Sequence, residues 1–192
     1  MFRNSIAVFI FILSVTICMT TNPCSEGPQV EKNPLECCAL PDLVEPSIMM
    51  NCFSKWGEQT KRQSKMDGIP RGCCVAECAT NATKLVKNGK INRKETQKIF
   101  LASSKNNPQW HSIVKDTLDE CFAEADANKE EIEAGAKLKP SYKGEKICHP
   151  ISGHIIRCMR MKMFNKCPGN VFQENNQDCM KLRQYHAKCP LN

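Results

Sequence analysis

Fourteen cysteines in 192 residues constrain this chain more than any other feature. At about 7% Cys, the composition sits near the level that marks a disulfide scaffold. A chain so rich in thiols folds in an oxidising, extracellular compartment, where paired sulfurs persist. The N-terminus agrees. Met1 to Ser5 is a short polar start with one positive charge at Arg3, Ile6 to Ile17 is almost wholly apolar, and Thr20 and Thr21 follow. A secretory apolar stretch runs about 7–15 residues, whereas a membrane span needs about 20. Residues 1–20 therefore read as a signal peptide, cut between Cys18 and Asn22, and not as a retained anchor. No second long apolar run follows, so residues 21–192 are expected to form one secreted domain without membrane insertion.

Loss of the leader removes Cys18 and Arg3, leaving 13 cysteines and a net charge of +6. Only five of the eight phenylalanines lie beyond it. Apolar burial alone would stabilise such a chain weakly, and each cross-link adds about 2–4 kcal/mol. Oxidised sulfurs are not metal ligands, so no metal site or cofactor is expected. The basic residues are spread out, with no block of five or six like charges, and nucleic acid and anionic membrane are not favoured partners.

Periodicity predicts helices throughout. Asn22 to Pro41, with Cys24, Cys37 and Cys38, is rich in Cys and Pro and should be irregular and tied down by disulfides. Pro46 can open a helix, along which Ile48, Met49, Cys52, Phe53 and Trp56 form an amphipathic stripe. Thr60 to Gly68 reads as loose, and Pro70 as the start of a second helix carrying Cys74 and Cys78 on one face. Asn88-Gly89 marks a turn. Asn92 and Glu95 predict a reciprocal cap on a helix with Ile99, Phe100 and Leu101 on its apolar side. Trp110, Ile113, Val114, Thr117, Leu118, Cys121, Phe122 and Ala125 give the clearest period in the chain, one continuous helical face. Gly135 falls near the end of the charged run Lys129–Glu133, and 137–146 reads as a loop. Ile155, Ile156, Met159 and Met163 line a helix over about Ser152–Lys166, and Asn176–Lys188 forms the last. No segment alternates with period two, so the expectation is all-α, with six or more short helices and no strand.

Chemistry-bearing motifs are absent: no Gly-rich phosphate loop, H-E-x-x-H, G-x-S-x-G or paired carboxylates. No enzyme is expected. His111, His149, His154 and His186 read as structural or exposed, with pH sensing by His149 and His154 as the functional alternative. Glu120, Glu124, Asp126, Glu130 and Glu131 read as a solvated helix face. Asn81-Ala82-Thr83 is a glycosylation sequon at Asn81.

The cysteine spacing is the most specific pattern. Cys52 is followed by Cys74-x3-Cys78, then after 42 residues by Cys121, then by Cys148, by Cys158 after nine residues, and by Cys167 after eight, with Pro168 directly behind it and Cys179 beyond. From Cys52 to Cys189 the chain resembles the insect odorant-binding proteins of the Plus-C class. Plant lipid-transfer proteins share an adjacent Cys pair and a helical cage, but they need a C-x-C element, which is missing, and are about half as long. The resemblance implies Cys52–Cys78, Cys74–Cys158 and Cys121–Cys167 as bridges. Cys24, Cys37, Cys38, Cys73, Cys148, Cys179 and Cys189 would then form three more and leave one thiol. Sequence does not assign these. The odd thiol can be buried or can pair between chains, so a homodimer stays open.

The resemblance further implies an interior apolar pocket whose walls are also the core: Met49, Phe53, Phe100, Ile113, Val114, Leu118, Phe122, Ile155, Met159, Met163 and Phe172. Flexible Met side chains suit ligands of different shapes. Tyr142, Tyr185 or the Trp110 indole could add a polar contact. The implied function is a secreted carrier of small hydrophobic odorants or pheromones in sensillar lymph or another extracellular fluid. The alternative is a secreted Cys-rich interaction protein, a salivary or immune effector that binds a protein.

Overall fold

The computed structural model describes residues 24, 27–63, 69 and 71–189. The expected signal peptide, residues 1–20, lies outside them. The described residues form eight helices: α1 Pro34–Cys37, α2 Pro46–Gln63, α3 Cys74–Ala82, α4 Arg93–Ser103, α5 Pro108–Ala127, α6 Lys129–Ala136, α7 Pro150–Asn165 and α8 Gln177–Lys188. None of them is long and apolar enough to cross a membrane.

The sequence punctuates these helices with side-chain caps. Asn107 accepts from Trp110 N with Pro108 behind it, and Asn176 accepts from Asp178 N and Cys179 N. Each cap satisfies backbone donors that the first turn leaves orphaned. Asn92 accepts from Glu95 N as predicted, but its own N–H donates to Leu85 O at 2.8 Å. Glu95 instead meets Lys98 at 3.7 Å, so only half of the expected reciprocal cap forms.

Leu85 belongs to an element that the periodicity did not reveal. β1 (Val86–Lys87) and β2 (Lys90–Ile91) form an antiparallel hairpin around Asn88-Gly89. Both turn residues have positive φ, 51° and 71°, the requirement of a type I′ connection. Two-residue strands are too short to show an alternating pattern. Two other expectations also shift: α2 continues through Thr60 to Gln63, and the stretch expected to be irregular contains the short helix α1, opened by Pro34 and capped by Asn33. The charged run after Asn128 forms α6, with Ile132 and Gly135 buried.

α7 is the central helix, packed against α3, α5, α6 and α8, while α2 covers α3 and α4 covers α5. We call α2–α7 the cage. Three disulfides lace it: Cys52–Cys78, Cys74–Cys148 and Cys121–Cys158. The first is the pair the resemblance implies. The other two correct it: Cys74 does not join Cys158, and Cys121 does not join Cys167. The N-terminal side of α7 lies on α3. Gly72 approaches Cys148 so closely that a Cβ there would sit 1.7 Å from the Cys148 carbonyl oxygen. Cys148 therefore reaches Cys74 first, and Cys158, in the middle of α7, faces Cys121 on α5.

Cys167 is thereby released to join Cys38. With Cys37–Cys179 and Cys24–Cys189 it fastens the N-terminal segment onto the chain after α7 and onto α8, an arrangement we call the clamp. Backbone bonds support it: Cys38 bridges to Phe172, and Gln173 N donates to Cys37 O at 3.0 Å. The Tyr185 hydroxyl donates to Cys24 O at 3.0 Å. Among the described cysteines the one outside these bridges is Cys73, half-buried at the N-cap of α3.

The loop before α7 is held by a buried ion pair. The Glu145 side chain is fully buried beside Arg71, 3.3 Å away, and also accepts from Gln63 Nε2 and Ser141 N. Burial raises the Glu145 pKa, but these hydrogen bonds and Arg71 outweigh it and hold the carboxyl below its ordinary range.

Candidate functional site in the apolar interior

The stripe on α5 folds as its period predicts. Trp110, Val114, Thr117, Leu118, Cys121, Phe122 and Ala125 are all buried, and Ile113 is half-buried at the edge. α7 presents Ile155, Ile156, Met159, Met163 and Phe164 to the same interior. α4 contributes Phe100, and the chain after α7 contributes Phe172. These residues belong to one continuous apolar cluster.

Ten of the eleven residues named as pocket walls fall in or against that cluster. Phe100, Val114, Leu118, Phe122, Ile155, Met159, Met163 and Phe172 are buried in it, and Met49 and Ile113 pack on it while partly exposed. Phe53 does not belong. It is 64% exposed. On α2 the inward face runs through Cys52, which is tied to α3, and Phe53 stands about 100° round from it. Its ring lies instead on Gly57, where a Cβ would be 3.0 Å away.

Phe164 is fully buried and was missed. Its spacing of eight from Ile156 was the available signal. It meets Phe172 edge-on at 6.0 Å and His186 at 5.9 Å, so it couples cage to clamp. Leu85 and Val86 were missed with the hairpin, and Leu43 and Val44 lie before α2 without any period.

Ion pairs close the α5–α7 seam. Glu120 meets Lys162 at 3.3 Å and Lys166 at 2.6 Å, and Glu124 meets Lys162 at 3.4 Å. Lys166, foremost, holds the Glu120 carboxyl below its ordinary pKa. Asp126 takes Arg93 at 2.6 Å. Three members of the acidic cluster thus join helices, beyond simply facing solvent. His154 lies 3.8 Å from Glu124, and burial lowers its pKa despite that carboxylate. His149 Nδ1 accepts from Ile151 N as the cap of α7, and its Nε2 is 3.9 Å from Glu133.

The polar groups differ in availability. Tyr185 is spent on Cys24 O. Tyr142 lies in the loop before α7 under Arg62, with its hydroxyl buried and unbonded. Trp110 is buried at the start of α5. Cys74, Cys148 and Glu77 bring three donor atoms within 4.8 Å, but the first two are joined to each other and offer no thiolate.

A helical cage laced by disulfides around an apolar interior defines a class. Residues 41–185 match the AgamOBP47-like family, and the chain belongs to it. Odorant-binding protein 47 of Anopheles gambiae is 55% identical over 181 residues, covering 94% of this chain and 79% of that protein. General odorant-binding protein 67 of the same mosquito is 24% identical over 163 residues, covering 83% of this chain and 74% of that protein.

Proposed function

We propose that this protein is a secreted carrier that reversibly binds small hydrophobic odorants or pheromones between its helices and moves them through extracellular fluid. The observation that carries this reading is the 55% identity, over nearly the whole chain, to an odorant-binding protein. The apolar cluster shared by α4, α5 and α7 supports it. A small apolar ligand entering that interior gains roughly 25 cal/mol for each Å² removed from water. Met159 and Met163 can adjust to its shape. The disulfides keep the helices together while a ligand replaces side-chain contacts, and no reaction is catalysed. The pocket walls in this reading are the ten clustered residues without Phe53. Asn81, exposed near the end of α3, is the proposed glycan attachment site, on the face away from that interior. The protein-binding effector reading is not favoured by the family.

The test is displacement of a fluorescent apolar probe from the oxidised protein by volatile alcohols, aldehydes, aromatics and fatty acids. Saturable probe binding with micromolar displacement is expected. A folded sample that takes up no probe would overturn the carrier reading.

A further inference from the structure

Thr117 stands in the middle of the buried face of α5 and is completely inaccessible to solvent. Its hydroxyl has no hydrogen-bond partner. Every other buried serine or threonine hydroxyl among the described residues is satisfied. Thr80 donates to Ser152 at 2.8 Å, which accounts for both of them. Thr96 donates to Asn92 O at 2.9 Å, and Ser104 to Leu101 O at 3.1 Å. Helical Ser and Thr commonly fold back on the carbonyl three or four residues earlier. Thr83, Thr96, Ser103, Ser104 and Ser112 do so here. Thr117 does not.

Other buried atoms without a partner differ in kind. Gln63, Asn165 and Arg183 each use a second polar atom of the same side chain, His154 Nε2 lies 3.8 Å from the Glu124 carboxylate, and Glu77 lies 3.4 Å from Lys146. Tyr142 lies in the loop before α7, outside the apolar cluster. Thr117 alone places an unused donor and acceptor on the helix face that forms that cluster. An unmade buried hydrogen bond costs about 1–3 kcal/mol, and valine would fill the same space without it.

We propose that the Thr117 hydroxyl is the polar anchor of the ligand site, selecting neutral ligands that carry one hydrogen-bonding oxygen: alcohols, aldehydes or ketones. This inference rests on the carrier reading. The hydroxyl donates to a carbonyl oxygen or accepts from an alcohol, so either group satisfies it. Carboxylates are disfavoured, because no Lys, Arg or His among the described residues is buried to neutralise them, and the two cations over wall rings, Arg93 on Phe122 and Arg183 on Phe172, are engaged by Asp126 and the Cys167 carbonyl. The apolar walls bind the hydrocarbon part with little regard to its identity, and the anchor fixes which end goes in.

The test compares octan-1-ol, octan-2-one, octane and octanoate as competitors of a fluorescent apolar probe, in wild type, Thr117→Val and Thr117→Ser. In wild type, the alcohol and ketone should displace the probe better than octane or octanoate at neutral pH. Thr117→Val should weaken the alcohol and ketone about fivefold, the net worth of one buried hydrogen bond, and leave octane unchanged. Thr117→Ser should restore the preference. The urea midpoint of ligand-free Thr117→Val should rise, because the unpaired hydroxyl is gone. Equal displacement by octanol and octane in wild type overturns the anchor while leaving the carrier reading intact. A preference that survives Thr117→Val, or a loss that includes octane equally, also overturns it. If wild type binds no probe, the carrier reading fails and the anchor falls with it.

Discussion

The clamp joins partners 129 to 165 positions apart, whereas the bridges of the cage span 26 to 74. The two regions also differ in what else holds them. The cage buries Phe100, Trp110, Val114, Leu118, Met159 and Met163, and its helices would attract one another without any covalent help. Before α2, the clamp buries only Cys37, Cys38, Leu43 and Val44 among apolar residues of the described chain, so its N-terminal segment depends on sulfur. Packing places the cage and its disulfides then lock it, while in the clamp the disulfides do the placing.

The sharpest way to break this contrast is to remove the bridges as sets. Replacing Cys24, Cys37, Cys38, Cys167, Cys179 and Cys189 by Ser should free the N-terminal segment while leaving the helices of the cage in place. Trypsin should then cut at Lys32 within minutes, and far-ultraviolet circular dichroism should lose only a minor part of its helical signal. Replacing the six cage cysteines should unfold the molecule. Loop closure alone does not separate the two sets: loops of 26, 37 and 74 residues are each worth about 3–5 kcal/mol and the clamp loops of 129 to 165 about 5 kcal/mol each. The expected difference comes from place, since the cage bridges tie α3 to α2 and to the approach of α7, and α5 to α7, whereas the clamp bridges fasten the N-terminal segment to the chain after α7. If the clamp-free variant loses its helices as fully as the cage-free one, the division is wrong.

A smaller effect tests where the two regions meet. Phe164 is fully buried, with Phe172 and His186 edge-on to its ring. Phe164→Ala should cost about 3–5 kcal/mol by loss of transfer energy and by the cavity left behind. Urea unfolding checks this, and the loss should be cooperative because the ring belongs to both regions. A separate early transition confined to α8 would show that the clamp folds without this contact.

This boundary also marks where the sequence stops being legible. The face of α5 was readable because eight residues repeat with the helical period, and seven of them are buried. The cap at Asn92 was read from the sequence; those at Asn107 and Asn176 were not, although an Asn directly before a helix is the signal for one. Pairing of the sulfurs was not. Cys148 and Cys158 both belong to the approach and body of α7, and only the packing of its N-terminal end on α3, through Gly72, decides which of them meets Cys74. Changing that one choice reassigns Cys121 and Cys167 as well, and so connects clamp to cage. Within the site, period and resemblance found the walls but promoted Phe53, at the margin of its stripe. They passed over Thr117 as a polar residue in an apolar row. Its significance lies in a missing hydrogen bond, which no sequence displays.

The smallest predicted effect separates the regions by proton uptake. His186, in α8, has its pKa lowered below 6.5 by burial, with no other cause. His154, in α7, is lowered by burial first and by Arg157 as well, but Glu124 and Glu131 favour its charged form. Well above pH 6.5 both rings are neutral whether the chain is folded or unfolded, and neither costs stability. As pH falls below 6.5 the unfolded chain takes up protons before the folded one, so folding stability declines until the lowered folded pKa is passed. In the cage, Glu124 at 3.8 Å gives an emerging His154 cation a partner. In the clamp, the His186 cation would stand between the Phe164 and Tyr185 rings with burial alone acting on it. Mild acid should therefore loosen α8 before α5 and α7. Hydrogen exchange between pH 7 and pH 5, corrected for its intrinsic pH dependence, should show α8 amides accelerating severalfold while those of α5 hold. His186→Gln should remove the acceleration, and His154→Gln should not. An α8 response unchanged in His186→Gln would place the acid sensitivity elsewhere and dissolve this difference between clamp and cage.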